Sequence, residues 1–251
     1  MIAGAAAEAA GTAALTRAVA LDRYALPDRE NPWLRLNFVS SLDGAATRDG
    51  VSGGLGNTAD RLVFDTLRLL TDVILVGAGT VRAEGYGGAL VADADRAWRR
   101  AHGLPEHPPL AIVSGRLDLD PGHPSLSEAP TRPIIVTHAA SSPARRAALA
   151  RVADVIVCGG DAVQPAQVVA ALTDRGLGQI LCEGGPSLVG TLLEADAVDE
   201  LCLTLSPVLD GGAAGRIAHG GAATPRAMRL RHALPAGDTL LLRYTRDRNA
   251  D

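Results

Sequence analysis

A chain of 251 residues, 47% hydrophobic and 21% charged, can bury a large core and is too apolar for general disorder. A net charge of −4 with 3% aromatics argues against a nucleic-acid surface, which needs a basic stripe and stacking platforms. All 24 basic residues are arginine, which excludes a phosphate-loop lysine, a Schiff-base lysine and the Tyr-x-x-x-Lys pair of short-chain dehydrogenases.

Residues 1–30 read as an N-terminal extension, its first half either a surface helix or loose chain, and residues 31–251 as one domain. The start lacks a charged n-region before a leucine-rich core, and no stretch reaches the roughly 18 apolar residues of a membrane span. Cys158, Cys182 and Cys202 stand singly in apolar runs, without a C-x-x-C pair. Together these features point to a reducing, cytoplasmic setting.

From Trp33 the pattern alternates, with Leu34, Leu36 and Phe38 apolar, as in a half-buried strand ending in Ser40-Ser41-Leu42-Asp43-Gly44. A glycine-rich loop, residues 50–56, precedes a helix over 58–70, capped by Asn57 or Thr58. Val73 to Val76 is a short apolar strand that runs through Gly77-Ala78-Gly79-Thr80 into a second helix. Residues 85–109 mix Gly, Ala, Asp and Arg and read as a long surface excursion. Strands follow at 110–113, 133–137, 155–158 and 179–182, with helices at 143–150 and 165–175. Glu183-Gly184-Gly185-Pro186-Ser187 turns into a helix reaching Ala195, with Pro186 suited to its first turn. The last strands, at 200–206 and 239–244 and a short one near 228–232, have no helix between them. The expected fold class is α/β: a mixed, mostly parallel sheet flanked by helices, antiparallel at its C-terminal end.

Open α/β sheets bind ligands beyond the carboxyl ends of their strands, so the strand-to-helix turns are the candidate sites. Gly77 to Thr80 and Glu183 to Ser187 each offer free N–H groups and the positive end of a helix dipole, which suits a pyrophosphate. The first turn is also readable as a tight connection only, because Arg82 stands where a third glycine would complete a dinucleotide fingerprint. In the second, Glu183 either serves a ligand or is an acid favoured by the dipole. Asp43-Gly44 is a common turn pair. Ser114-Gly115-Arg116 either reads a 2′-phosphate or is a solvated loop.

Four segments in order, Leu36 to Gly44 (LNFVSSLDG), Ala78 to Glu84 (AGTVRAE), Ile180 to Leu188 (ILCEGGPSL) and Val198 to Leu209 (VDELCLTLSPVL), resemble the pyrimidine reductase domain of riboflavin biosynthesis. The resemblance covers residues 31–244 and implies a dihydrofolate-reductase-like fold, a homodimer, and NADPH-dependent reduction of a phosphorylated ribosylaminopyrimidine. With the turn readings, it places Gly77, Gly79, Thr80, Glu84, Ser114, Arg116, Gly184, Gly185, Pro186 and Ser187 toward the cofactor. It places Ser41, Asp43, Ser52, Arg68 and Glu183 toward the substrate. Arg68 would clamp the phosphate, Asp43 would rank first for proton transfer, and Glu183 would anchor the pyrimidine.

The chain departs from the family pattern in three places. Glu84-Gly85-Tyr86 replaces an Asp followed one residue later by Pro, and Val91 replaces an arginine for which Arg96 would have to substitute. The H-x-E and P-C-x-x-C signature of the zinc deaminase domain found in many members is absent, so no metal is expected. Two other readings stay open: a reductase of the same fold acting on another heterocycle, such as dihydrofolate, and a catalytically silent nucleotide-binding protein.

Overall fold

The computed structural model describes residues 15–26 and 28–247. The first half of the N-terminal segment thus lies almost wholly outside the described residues. Its second half is not loose. Thr16 caps α1 (Arg17–Tyr24), and Ala20 and Tyr24 are buried in the core.

β1 (Trp33–Ser40) follows, then α2 (Thr58–Leu70), whose first N–H groups bond to the Asn57 side chain. β2 (Val73–Gly77) runs straight into α3 (Ala78–Ala83). The chain continues through α4 (Asp93–Ala101), β3 (Leu110–Val113), α5 (Pro124–Ser127), β4 (Ile134–Thr137), α6 (Pro143–Leu149) and β5 (Asp154–Val157). α7 (Pro165–Thr173), β6 (Gln179–Cys182) and α8 (Pro186–Glu194) precede β7 (Glu200–Leu205), β8 (Met228–Ala236) and β9 (Thr239–Arg246). The nine strands form one sheet in the order β5-β4-β3-β2-β6-β1-β7-β9-β8. Every pairing from β5 to β7 is parallel, and β9 pairs antiparallel with β7 and β8, as the alternation of elements implied.

The sheet is covered on both faces, so its central strands are apolar on both sides. On β2, Ile74 and Val76 join α2 and α3, while Val73 and Leu75 pack with α7 and α8. β6 returns from the far edge to insert between β1 and β2. The helix after β2 then lies on one face, and the helix after β6 on the other. Neighbouring strands whose following helices diverge leave a crevice at their carboxyl ends, the topological switch point of an open sheet.

The excursion at residues 85–109 is corrected by the structure: it holds α4. Its composition looked like surface, but Arg99 is fully buried and donates to the carbonyls of Arg68, Leu69, Thr71 and Pro105. The last carbonyls of a helix have no partner within it, and here a guanidinium from another helix satisfies those of α2. Burial lowers the Arg99 pKa to about 10, so the cap stays charged at neutral pH.

At the opposite end of the sheet a second buried acid, Glu200, receives hydrogen bonds from Arg35, Arg243 and the Trp33 indole. Arg35 also donates to the carbonyl of Tyr24, which ties α1 to this network. Among the described residues no helix is long and apolar enough to cross a membrane, and no cluster of His, Cys, Asp and Glu is placed to hold a metal.

His232 on β8 meets the Tyr24 ring edge-on, with centroids 4.9 Å apart. Burial, then the Arg243, Arg23 and Arg35 cations, outweigh the Glu200 carboxylate and lower its pKa to about 4. The unfolded chain therefore takes up a proton near pH 6.5 that the native imidazole refuses. Stability should fall as pH drops from 6.5 to 4, and His232→Gln should flatten that part of the profile. Urea titrations at pH 7, 5.5 and 4.5 check this, and an unchanged slope would assign the loss to another group.

Candidate active site at the ends of β2 and β6

The two glycine turns, read as separate sites, form one. β2 and β6 are neighbours, and the Gly77 N–H donates to the Gly184 carbonyl at 2.7 Å. A Cβ at Gly77 would lie 3.3 Å from the Gly185 nitrogen, and one at Gly185 would lie 2.5 Å from the Thr80 hydroxyl. Small residues let the two turns close on each other. The N-termini of α3 and α8 therefore open onto one cleft of about 770 Å³. Gly77, Gly79, Thr80, Glu84, Gly185, Pro186 and Ser187 line it, and so do Ser114 and Arg116 from the end of β3. Gly184 is the exception: it is buried behind the wall, beside the Phe38 ring. Glu84 also accepts the Ser52 N–H at 2.9 Å, which holds the glycine-rich loop over the C-terminal end of α3.

The residues expected to face the substrate are placed differently. Arg68 is buried and does not present a free fork. Its Nε and one terminal nitrogen donate to the two Glu183 oxygens, each at 2.7 Å, and the other terminal nitrogen donates to the Leu90 carbonyl. Burial works against the cation, but the Glu183 carboxylate and its hydrogen bonds more than compensate, and the Arg68 pKa is raised. The Tyr86 hydroxyl completes the set, donating to Glu183 at 2.6 Å. Burial and the same carboxylate raise the Tyr86 pKa well above its ordinary value, so the phenol stays a donor. In this structure the expected phosphate clamp and pyrimidine anchor pair with each other in one internal ion pair. The cause is desolvation: a carboxylate with 2% of its side chain exposed requires a cation.

Asp43 is corrected as well. Its carboxylate accepts from the Ser41 hydroxyl and from the backbone N–H groups of Asp210 and Gly211, the latter at 3.1 and 2.8 Å. These bonds, Ser41 first, lower its pKa to about 2. A group so acidic is no proton donor at neutral pH; it joins the ends of β1 and β7. Ser41 is buried within the same turn and also accepts the Ala45 N–H. Ser52 touches the cleft only through Glu84. The two departures noted near residue 90 resolve into packing: Val91 is buried, and Arg96 pairs with Asp93 at 2.9 Å on α4 rather than reaching the cleft.

Sequence reasoning missed Thr47 and Gly50 at one end of the cleft. At the other end it missed His138, Asp161, Val163 and Pro165. Their signal was positional, since His138 follows β4 and Asp161 follows β5, both at carboxyl ends of parallel strands. Tyr86 carried no such signal.

This architecture defines an open-sheet α/β protein with its ligand site at the switch point between two helix N-termini. Residues 32–242 match the RibD C-terminal domain, and the chain belongs to that family, the pyrimidine reductases of riboflavin biosynthesis. It is 32% identical over 183 residues to the riboflavin biosynthesis protein RibD of Mycobacterium tuberculosis, across 72% of this chain but only 44% of that protein. The chain thus spans less than half the length of that relative. It is 29% identical to the 2,5-diamino-6-ribosylamino-4(3H)-pyrimidinone 5′-phosphate reductase of Methanothermobacter thermautotrophicus, covering 85% of this chain and 98% of that one. Among solved structures, a pyrimidine reductase-like protein from Corynebacterium diphtheriae superposes with a TM-score of 0.80 at 28% identity, over 93% of this chain and 100% of the other.

The internal pairing has a measurable consequence. Arg68→Met leaves a buried carboxylate without its cation and should cost about 3–5 kcal/mol of stability. A Glu183→Leu change in the same chain should recover part of that loss. Thermal unfolding of the single and double variants checks it. An Arg68→Met protein with unchanged Tm and a raised KM for a phosphorylated substrate would restore Arg68 to the phosphate site.

Proposed function

We propose that this chain is an NADPH-dependent oxidoreductase that reduces a phosphorylated ribosylaminopyrimidine, the riboflavin-type reaction. The observation that carries the reading is the single cleft at the β2–β6 switch point, which ends at the Ser114-Gly115-Arg116 turn. The residues present fit a dinucleotide. Gly79 has open space where a Cβ would stand, and the helices behind Gly77 and Gly185 direct their N–H groups into the cleft. Gly77, Gly79, Thr80, Gly185 and Ser187 would hold the pyrophosphate, and Ser114 and Arg116 the 2′-phosphate. When bound, the nicotinamide supplies the hydride. The chain's own part is to align the reactants, keep water from the cleft floor and present fixed dipoles to developing charge. The buried free cysteines suit a reducing, cytoplasmic setting, and a homodimer belongs to the same reading.

One observation favours a second reading, a related heterocycle without the phosphate. Arg68, Val91 and Arg96 offer no cation to the cleft, and Arg48, exposed between Thr47 and Gly50 at its mouth, is the nearest replacement in sequence. Steady-state rates with the phosphorylated and dephosphorylated pyrimidine separate the readings. A preference for the phosphate supports the first, and equal kcat/KM supports the second.

Two substitutions test the cofactor half. Gly79→Val adds bulk to the cleft wall where no protein atom lies within 4 Å, so the fold should hold while NADPH affinity collapses. Calorimetric titration decides it, and unchanged affinity would make the turn purely structural. Arg116 is exposed at the turn, and Arg116→Ala should lower kcat/KM for NADPH roughly 5- to 30-fold with little effect on NADH. Equal losses with both cofactors would reduce Arg116 to loop support.

A further inference from the structure

The end of the cleft beyond Arg116 holds more basic groups than the sequence motif contains. β3 and β4 run parallel with Val113 beside Val136, and the Ser114 N–H bonds to the Val136 carbonyl at 2.9 Å. This register brings His138, just past β4, against the turn after β3. A Cβ at Gly115 would lie 3.1 Å from the His138 Nε2 and 3.3 Å from its Cδ2, so the ring covers the glycine. From the first turn of α6, Arg145 donates to the Arg116 carbonyl at 2.9 Å. The neighbouring Arg146 is committed elsewhere, to the carbonyls of Ala139 and Ser141. His138, Arg116 and Gly115 all line the cleft, with the exposed carboxylates of Asp118 and Asp161 at the same end.

The His138 ring has an asymmetry that indicates its use. Nδ1 is buried and has no hydrogen-bond partner among the described residues. A buried N–H without an acceptor is the rarer and costlier state, so the neutral ring keeps its proton on Nε2. That places an N–H donor at the Gly115 wall of the cleft. Two arginines, an imidazole N–H and the Ser114 hydroxyl around one turn match the three oxygens and double charge of a phosphate monoester. A free ribose hydroxyl would call instead for a carboxylate within the turn.

We propose that His138 and Arg145 complete, with Arg116, a recognition site for the 2′-phosphate of the dinucleotide, and that His138 determines the preference for NADPH over NADH. The proposal rests on the cofactor reading given above. His138 binds directly through Nε2, while Arg145 both adds charge and holds the Arg116 backbone in place. Gly115 suits the close approach of the ring, since a side chain there would press on it.

Dissociation constants for NADPH, NADH, adenosine 2′,5′-bisphosphate and adenosine 5′-monophosphate, measured by calorimetry on wild type, His138→Leu, His138→Gln and Arg145→Ala, test it. His138→Leu should weaken NADPH and the bisphosphate about 5- to 20-fold and leave NADH and the monophosphate within about 2-fold. His138→Gln, whose amide nitrogen replaces Nε2, should recover most of the loss, and Arg145→Ala should fall between. Matching losses for both cofactors in His138→Leu, or full retention of its NADPH preference, would overturn the role of His138. A wild type that binds NADPH no better than NADH would overturn the cofactor reading and this site with it. Preference intact in wild type and in every variant defeats only the present proposal. If His138→Leu fails to fold, His138→Phe, which keeps a ring over Gly115 but carries no N–H donor, takes its place with the same expected losses, and Arg145→Ala decides independently, because a site without that arginine predicts no change.

Discussion

The structure depends on one carboxylate removed from water. Glu183 ends β6, where the chain must turn through Gly184 and Gly185, and its side chain is 2% exposed. An acid in that position needs a cation and donors for both oxygens, and the fold is arranged to deliver them. α2 brings Arg68, whose guanidinium lies 4.1 Å from the Phe64 ring centre, and the loop after α3 brings Tyr86. Arg99 then fastens the same end of α2 by its carbonyls. Two arginines thus pin one helix terminus from opposite sides. The glycine turn that follows Glu183 inherits a fixed starting point, and so does the cleft wall that this turn builds with Gly77.

The cleft and the ion pair behind it are unlike surroundings for charge. Around Ser114, cationic and neutral donors converge with free valence, as an anion demands. Around Glu183, charge is already cancelled by charge. The same residue types serve opposite ends in the two places because burial differs. Arg116 is exposed at the cleft, while a buried Arg68 must spend its fork on the nearest carboxylate.

Most of the fold was legible because its signals are local. Alternation marked β1, short apolar runs marked most of the other parallel strands, and Asn57, Pro165 and Pro186 marked helix starts. α4 was not legible. Its buried residues are Asp95 and Arg99 rather than an apolar stripe, so the usual apolar signal of a core-facing helix was missing. The cleft lining was legible for the residues of the strand-to-helix turns, since such turns have a direct chemical meaning. The pairings were not: Arg68 and Glu183 are 115 residues apart, and Asp43 and Asp210 are 167 apart. One sequence contains no term that selects which cation meets which acid. The reading therefore gave each group to an external ligand when its partner was internal.

The pairings also bear on where a proton could come from during reduction. Hydrogen bonds from Ser41 and from the Asp210 and Gly211 N–H groups lower the Asp43 pKa to about 2, which disfavours its acid form near neutrality. Glu183 has both its oxygens committed to internal donors, a guanidinium and a phenol. Neither carboxylate is poised to give up a proton. Chemistry that needs strong acid catalysis from the protein is therefore poorly matched to this cleft. Chemistry in which a bound cofactor supplies the electrons and solvent at the open mouth supplies the proton is well matched. In that case the chain contributes through position and fixed dipoles, and this accounts for a site built from backbone turns and two helix ends, with Asp43 and Glu183 holding the surrounding elements in place.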